Sequence, residues 1–386
     1  MMKNFKKYTL IACSLFTLAA CDLEIDITNP GLITEEKPDR PQAGETITYR
    51  AQVWVEKNDM EELYGGERLF RQNLEALFRN TTTFWNESTN KFDYRFEWAM
   101  GEGDDNLVIY DIKSGVKSQA EYNVYKDKAY GTLNTEKYDF VLFLALRCTK
   151  GGLSCGGASK QSVVQAYFEE GHDIFAKKWP EKGTYSDLGH EYGHVRGAQD
   201  LYQYMIPAEN NPVSHVAYDY PKCNMGTGYQ EWSDYCSAIF NHNAQYKQIT
   251  ADMTRSTYPK QMLVRITKDG KPVQRATVNF WGSRATFRDI YAEPGNSPYM
   301  KKKTDANGEF TINDIYRMFI PDYNNTPNLP PKSPVDEFPF SRWYCFVVEV
   351  ELDGGQTKCV WLSDLDIVPE YLDGGQQEPY VFEIQL

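Results

Sequence analysis

The chain has 386 residues and carries 41 Lys and Arg against 54 Asp and Glu, a formal net charge of −13. With 41% hydrophobic and 25% charged residues its balance is that of a globular chain, not a disordered one. The length accommodates two folded domains, and the acidity argues against nucleic acid as a partner, because phosphate binding needs clustered basic charge.

At the N-terminus, Lys3, Lys6 and Lys7 precede a short apolar run, Tyr8 to Ala20, in the order of a secretory leader. The run falls well short of the roughly 20 residues a membrane-spanning helix requires. It ends in Leu18-Ala19-Ala20-Cys21, which resembles a bacterial lipobox. The resemblance implies a leader over 1–20, lipidation at Cys21, and a protein anchored through lipid to the outer membrane of a bacterial envelope, facing the periplasm or the exterior. Residues 21–45 include Pro30, Pro38 and Pro41 and show no apolar periodicity, the composition of a flexible tether. Six further cysteines lie beyond Cys13 and Cys21, in three near-neighbour couples: Cys148 and Cys155, Cys223 and Cys236, Cys345 and Cys359. An even number in an exported chain favours disulfides, and pairing within each couple is the expectation.

Thr46 to Val55 alternates toward a strand, and Leu63, Leu69, Phe70, Leu74, Leu77 and Phe78 recur at helical spacing between Met60 and Arg79. Lys91 to Met100 and Asn106 to Ile112 read as strands around Gly101-Glu102-Gly103-Asp104-Asp105. That acidic loop lacks the ligand spacing of a calcium loop and is read as a hairpin turn. Tyr138 to Leu146 is a continuous apolar run that suits a strand buried on both faces. The glycine-rich segment 151–157 and a strand near Ser162 to Phe168 follow. The stretch between Cys148 and Phe168 is either an edge strand or a disulfide-closed surface loop.

Residues 186 to 200 carry the chemistry. His190 and His194 lie one helical turn apart on one face, so both imidazoles reach a single metal ion. Glu191 follows the first histidine, where a carboxylate reaches metal-activated water. Ser186 or Asp187 suits an N-cap, and Gly197 ends the helix in a left-handed conformation that brings Asp200 back as a third ligand. The pattern H-E-x-x-H-x-x-G-x-x-D, with Asp200 where histidine is usual, resembles the extended signature of metzincin zinc metallopeptidases. The resemblance implies a methionine turn beneath the metal, and Cys223-Asn224-Met225-Gly226 fits it. Thr227 stands where many members carry a tyrosine, with Tyr229 further on. It also implies one catalytic Zn2+ and an edge strand that pairs with extended substrate. His215 lies in the irregular region after Asp200, and Glu231, at the start of an expected helix from Glu231 to Ala244, is an alternative third ligand of the kind gluzincins use.

From about Met262 the texture is short β-rich runs between turn residues: Leu263 to Ile266, Ala276 to Trp281, Glu309 to Ile312, Trp343 to Leu352 and Tyr380 to Leu386. Lys271-Pro272-Val273 and Thr304 to Phe310 resemble carboxypeptidase regulatory-like and Ig-like modules, implying a sandwich. The fold class is therefore α+β: a metzincin-like catalytic domain of twisted sheet plus active-site helix over 46–255, then an all-β sandwich domain over 260–386. The functional expectation is a monomeric, lipid-anchored zinc endopeptidase acting on protein or peptide, with Glu191 as general base; Gly197 and Met225 support the site structurally. The competing expectation is a binding or adhesion lipoprotein whose metal site is only structural.

Overall fold

The computed structural model describes residues 44–156, 162–284, 289–290, 297–321, 342–352 and 355–386. The expected leader, Cys21 and nearly all of the tether lie outside the described residues. No helix among the described residues is long and apolar enough to cross a membrane.

The protein is α+β. Its N-terminal half runs β1 (Thr46–Glu56), α1 (Lys57–Tyr64), α2 (Glu67–Glu87), β2 (Arg95–Met100), β3 (Leu107–Tyr110), α3 (Gln119–Thr132), β4 (Phe140–Cys148), β5 (Gly152–Gly156) and β6 (Ser162–Glu169). These strands make one sheet in the order β2-β1-β4-β6-β5, with β3 also on β1. Every pair is parallel except β5 with β6, so β5 is an antiparallel edge strand.

The apolar run from Tyr138 is central because both its faces are covered. Phe140, Leu142, Leu144 and Leu146 belong to the cluster that also holds Phe70, Leu74, Phe78 and Trp85 of α2. Val141, Phe143 and Ala145 pack on the other face with Tyr122 and Ala129 of α3. Only those two residues of α3 are buried, so its sequence carries little periodicity. Its start is nonetheless marked: Ser118 and Glu121 form a reciprocal capping box.

The expected hairpin across residues 101–105 does not form. β2 pairs with Thr46–Ala51 and β3 with Val53–Glu56, both parallel to β1, so the chain proceeds along one edge without reversing. The loop itself stays on that ladder, since Gly101 N donates to Ala51 O at 2.9 Å and Val53 N to Asn106 O at 2.8 Å. A long β1 offers one edge to two short strands, and that competes successfully with the turn.

Then follow α4 (Thr184–Val195), α5 (Asp234–Asn243) and α6 (Ala251–Ser256). The C-terminal half comprises β7 (Gln261–Lys268), β8 (Lys271–Pro272), β9 (Thr277–Arg284), β10 (Asp289–Ile290), β11 (Met300–Lys303), β12 (Glu309–Asn313), α7 (Ile315–Phe319), β13 (Cys345–Glu351), β14 (Thr357–Ser363), α8 (Asp364–Asp373) and β15 (Tyr380–Gln385). One sheet has the order β10-β9-β13-β14 with β11 on β9; the other is β12-β7-β15 with β8 on β7. They meet where Phe280 stands edge-on to Phe310 at 6.2 Å. The helices α7 and α8 are additions to the expected strands. A single apolar cluster runs from Tyr49 and Trp98 through Met225 to Phe346 and Ile384, so both halves share a core.

Strand register excludes two of the expected disulfides. Cys345 pairs with Ser363 and Cys359 with Glu349, four residues apart along the hairpin. Cys148 aligns with Glu169 on one side of β6, and Cys155 with Val164 on the other. Each couple is therefore separated by more than the roughly 7 Å Cα span that a bridge tolerates. Cys223 and Cys236 do meet, as thiols with sulfurs 3.4 Å apart.

Candidate metal centre

Helix α4 begins earlier than its sequence suggests. Gly183 is the N-cap, Ser186 Oγ donates back to Gly183 O at 3.0 Å, and Asp187 sits in the first turn, where the helix dipole favours an acid. The helix ends as expected: Gly197 takes φ 92°, and Ala198 N donates to Gly193 O at 3.0 Å. That turn sends the chain back under the helix.

His190, His194 and Asp200 come together. Asp200 Oδ1 lies 3.1 Å from Nε2 of both histidines, and one donor atom from each residue falls within 4.8 Å of the others. The side chains are 12%, 20% and 25% exposed, so the cluster is mostly buried yet reached by solvent. Both imidazoles are held from behind. His190 Nδ1 bonds Asn224 O at 2.7 Å and His194 Nδ1 bonds Ala198 O at 3.0 Å. With a carbonyl on each Nδ1, that nitrogen carries a proton and Nε2 is the atom turned to the shared point, the arrangement of metal-ligating histidines.

Charge follows from this closeness. Burial raises the Asp200 carboxyl, but the two imidazoles outweigh it and hold the group well below the usual carboxylate range. Burial lowers His194, yet the Asp200 charge and hydrogen bond turn the net shift upward. Glu191 is 2% exposed, and Oε2 has no hydrogen-bond partner. Burial pushes its carboxyl up, against the opposing pull of His190 and His194.

The methionine turn is the support beneath. Gly226 N donates to Cys223 O at 2.9 Å, closing the turn, and Asn224 Nδ2 donates to Ser186 O at 3.0 Å. Met225 is fully buried, its sulfur against Gly193, where a Cβ would collide with it. Met225 O accepts from Leu201 N at 2.8 Å, one residue beyond Asp200. Two successive residues, Asn224 and Met225, thus fix His190, the floor under the helix and the chain just beyond Asp200.

Other sequence candidates are not brought in. His215 is exposed on its loop, and Glu231 is exposed ahead of α5, whose N-cap is Ser233. The edge strand β5 is beside the site: Cys155 is raised by burial and then by the charges of Glu191 and Asp200. Two supporting residues were not singled out from sequence. Asn224 has no motif of its own beyond preceding the methionine. Arg196 is fully buried, its guanidinium 4.1 Å from the Tyr49 ring centre, donating to Tyr246 O at 2.7 Å and to Asn243 O. A charged residue between His194 and the turn at Gly197 was the available signal.

Two imidazole donors, each backed by a backbone carbonyl, and one carboxylate fit a zinc-type site. The orphaned Glu191 oxygen beside them fits the same reading.

No family model matches the chain, and no curated protein matches it. Among solved structures, wild-type OgpA from Akkermansia muciniphila is 10% identical over 84% of this chain and 96% of that one, with a TM-score of 0.34. Catalytically inactive OgpA in complex with an O-glycopeptide substrate, glycodrosocin, gives 10%, 84%, 95% and 0.30. A 3-chlorocatechol 1,2-dioxygenase from Rhodococcus opacus 1CP gives 15% identity and a TM-score of 0.15; 27% of this chain is aligned, spanning 43% of that protein's length. Scores this low carry no inference about activity.

Proposed function

We propose that the chain is a zinc-dependent endopeptidase of the metzincin type, working as a monomer tethered by lipid at Cys21 to a bacterial outer membrane. The observation that supports it is the convergence of His190 Nε2, His194 Nε2 and Asp200 Oδ1, each histidine locked by a carbonyl, beside a buried glutamate with an open oxygen.

His190, His194 and Asp200 would hold the ion, which when bound supplies Lewis acidity, polarising a carbonyl and acidifying water. Glu191 takes the proton of the attacking water and returns it to the leaving nitrogen. Burial, which raises its affinity for a proton, suits the accepting half of that task. β5, an edge strand among the described residues and beside the site, suits main-chain pairing with an extended peptide. Asp200 contributes a charge that a third histidine would not, so an ion held here would be less electrophilic than in a three-histidine site.

The test is metal content together with cleavage, using unfolded casein, a mixed peptide library and O-glycosylated peptides, with and without chelator. One zinc per chain and chelator-sensitive cleavage of any of these is the expected result. One zinc with no cleavage of any substrate favours the binding lipoprotein with a structural ion. No zinc removes the proposal.

A further inference from the structure

We propose that the C-terminal half is a working part of the metal site, with Asp364 acting through Tyr204 as a positioning residue for Asp200; this rests on the metal-site reading above. The two histidines ride on a helix, whereas Asp200 sits at the start of a loop and needs support from elsewhere. After Asp200 the chain makes a short 3-10 turn, Leu201–Tyr204. Leu201 is tied to the methionine turn. Tyr204 points the other way, into the C-terminal half, where its hydroxyl donates to Asp364 Oδ1 at 2.8 Å and its ring stands edge-on to Tyr344 at 5.0 Å.

Asp364 is a fixed post. It opens α8, is fully buried, and its second oxygen accepts from Tyr258 OH at 2.6 Å and from the Arg342 guanidinium. Further along the same loop, Ile206 and Tyr218 exchange backbone hydrogen bonds of 2.9 and 3.0 Å, and Tyr218 packs on Trp361 of β14 at 5.0 Å. The segment that carries the third ligand is therefore clamped between the methionine turn and the β half. Buried, fully bonded carboxylates transmit position because every alternative leaves a charge or hydroxyl unpaired. Ligand orientation by such outer contacts is worth about 10- to 100-fold in metal affinity.

The experiment measures zinc affinity by chelator competition and the visible spectrum of the cobalt-substituted protein for wild type, Tyr204→Phe and Tyr258→Phe. Both variants remove one hydroxyl from the same buried carboxylate, but only Tyr204 lies on the ligand loop. Tyr204→Phe is expected to weaken zinc about tenfold and to alter the cobalt bands. Tyr258→Phe is expected to keep the wild-type spectrum and to stay within about twofold in affinity, well below the outer-contact effect. Wild-type values for Tyr204→Phe, or equal losses in both variants, overturn the inference while leaving the metal site standing. A wild type that takes up neither ion overturns the metal-site reading and this inference with it.

Discussion

Gly193 and Met225 offer a close test of how the site is built. Gly193 lies inside α4, where alanine ordinarily gains about 0.5–1 kcal/mol. Here a methyl group would meet the Met225 sulfur in a fully packed floor. Overpacking of this kind costs about 1–3 kcal/mol, so Gly193→Ala is expected to lose about 1–2 kcal/mol net. Met225→Ala, by emptying the floor, loses about 2–5 kcal/mol. In that background the new methyl has room, and Gly193→Ala turns stabilising by about 0.5–1 kcal/mol. The coupling read from the cycle thus equals the relieved clash, about 1–3 kcal/mol. Urea denaturation of the four proteins measures it. Additive effects, or a stabilising Gly193→Ala in the wild-type background, contradict the contact.

Three further outcomes are expected. Asp139 accepts from Arg50 N at 2.7 Å and is held above the ordinary carboxylate range by burial; its stabilising contribution is complete below the unfolded value and lost as pH rises through the folded one. Asp139→Asn should therefore gain on wild type in melting temperature between pH 4 and pH 7, and a pH-independent difference contradicts this. Zinc at about a thousand times Kd should stabilise by about 4 kcal/mol, a shift abolished by chelator and by His190→Ala. Under mild oxidation, alkylation and mass spectrometry should find Cys223 and Cys236 joined and the other described cysteines still reactive; a Cys345–Cys359 bridge would contradict the β13–β14 register.

The elements legible in the sequence were those whose burial is one-sided or complete. The run from Tyr138, the helical stripe from Phe70 to Phe78, and the histidine helix with Gly197 each carry a period that packing then uses. Helix α3 was missed because it buries only Tyr122 and Ala129, although Ser118 and Glu121 marked its start. Helix α8 was missed because Pro369 lies inside it and strands surround it. The parallel pairing of β2 and β3 on β1 depends on which edge is free, which no local pattern encodes. At the site, the two histidines were legible because a helix sets their spacing, and Asp200 because Gly197 ends that helix three residues earlier. Their supports were not, since Asn224 O and Ala198 O are backbone atoms and Asp364 reaches Tyr204 from 160 residues away.

On the proposed mechanism Glu191 moves the proton while His190, His194 and Asp200 hold the ion. Its most direct test compares kcat/KM of wild type and Glu191→Gln at equal, measured zinc occupancy. Gln preserves shape and removes the basic oxygen, so the expected result is unchanged zinc affinity with a loss of about 10²- to 10⁴-fold in kcat/KM. Cleavage at the wild-type rate by zinc-loaded Glu191→Gln would contradict it.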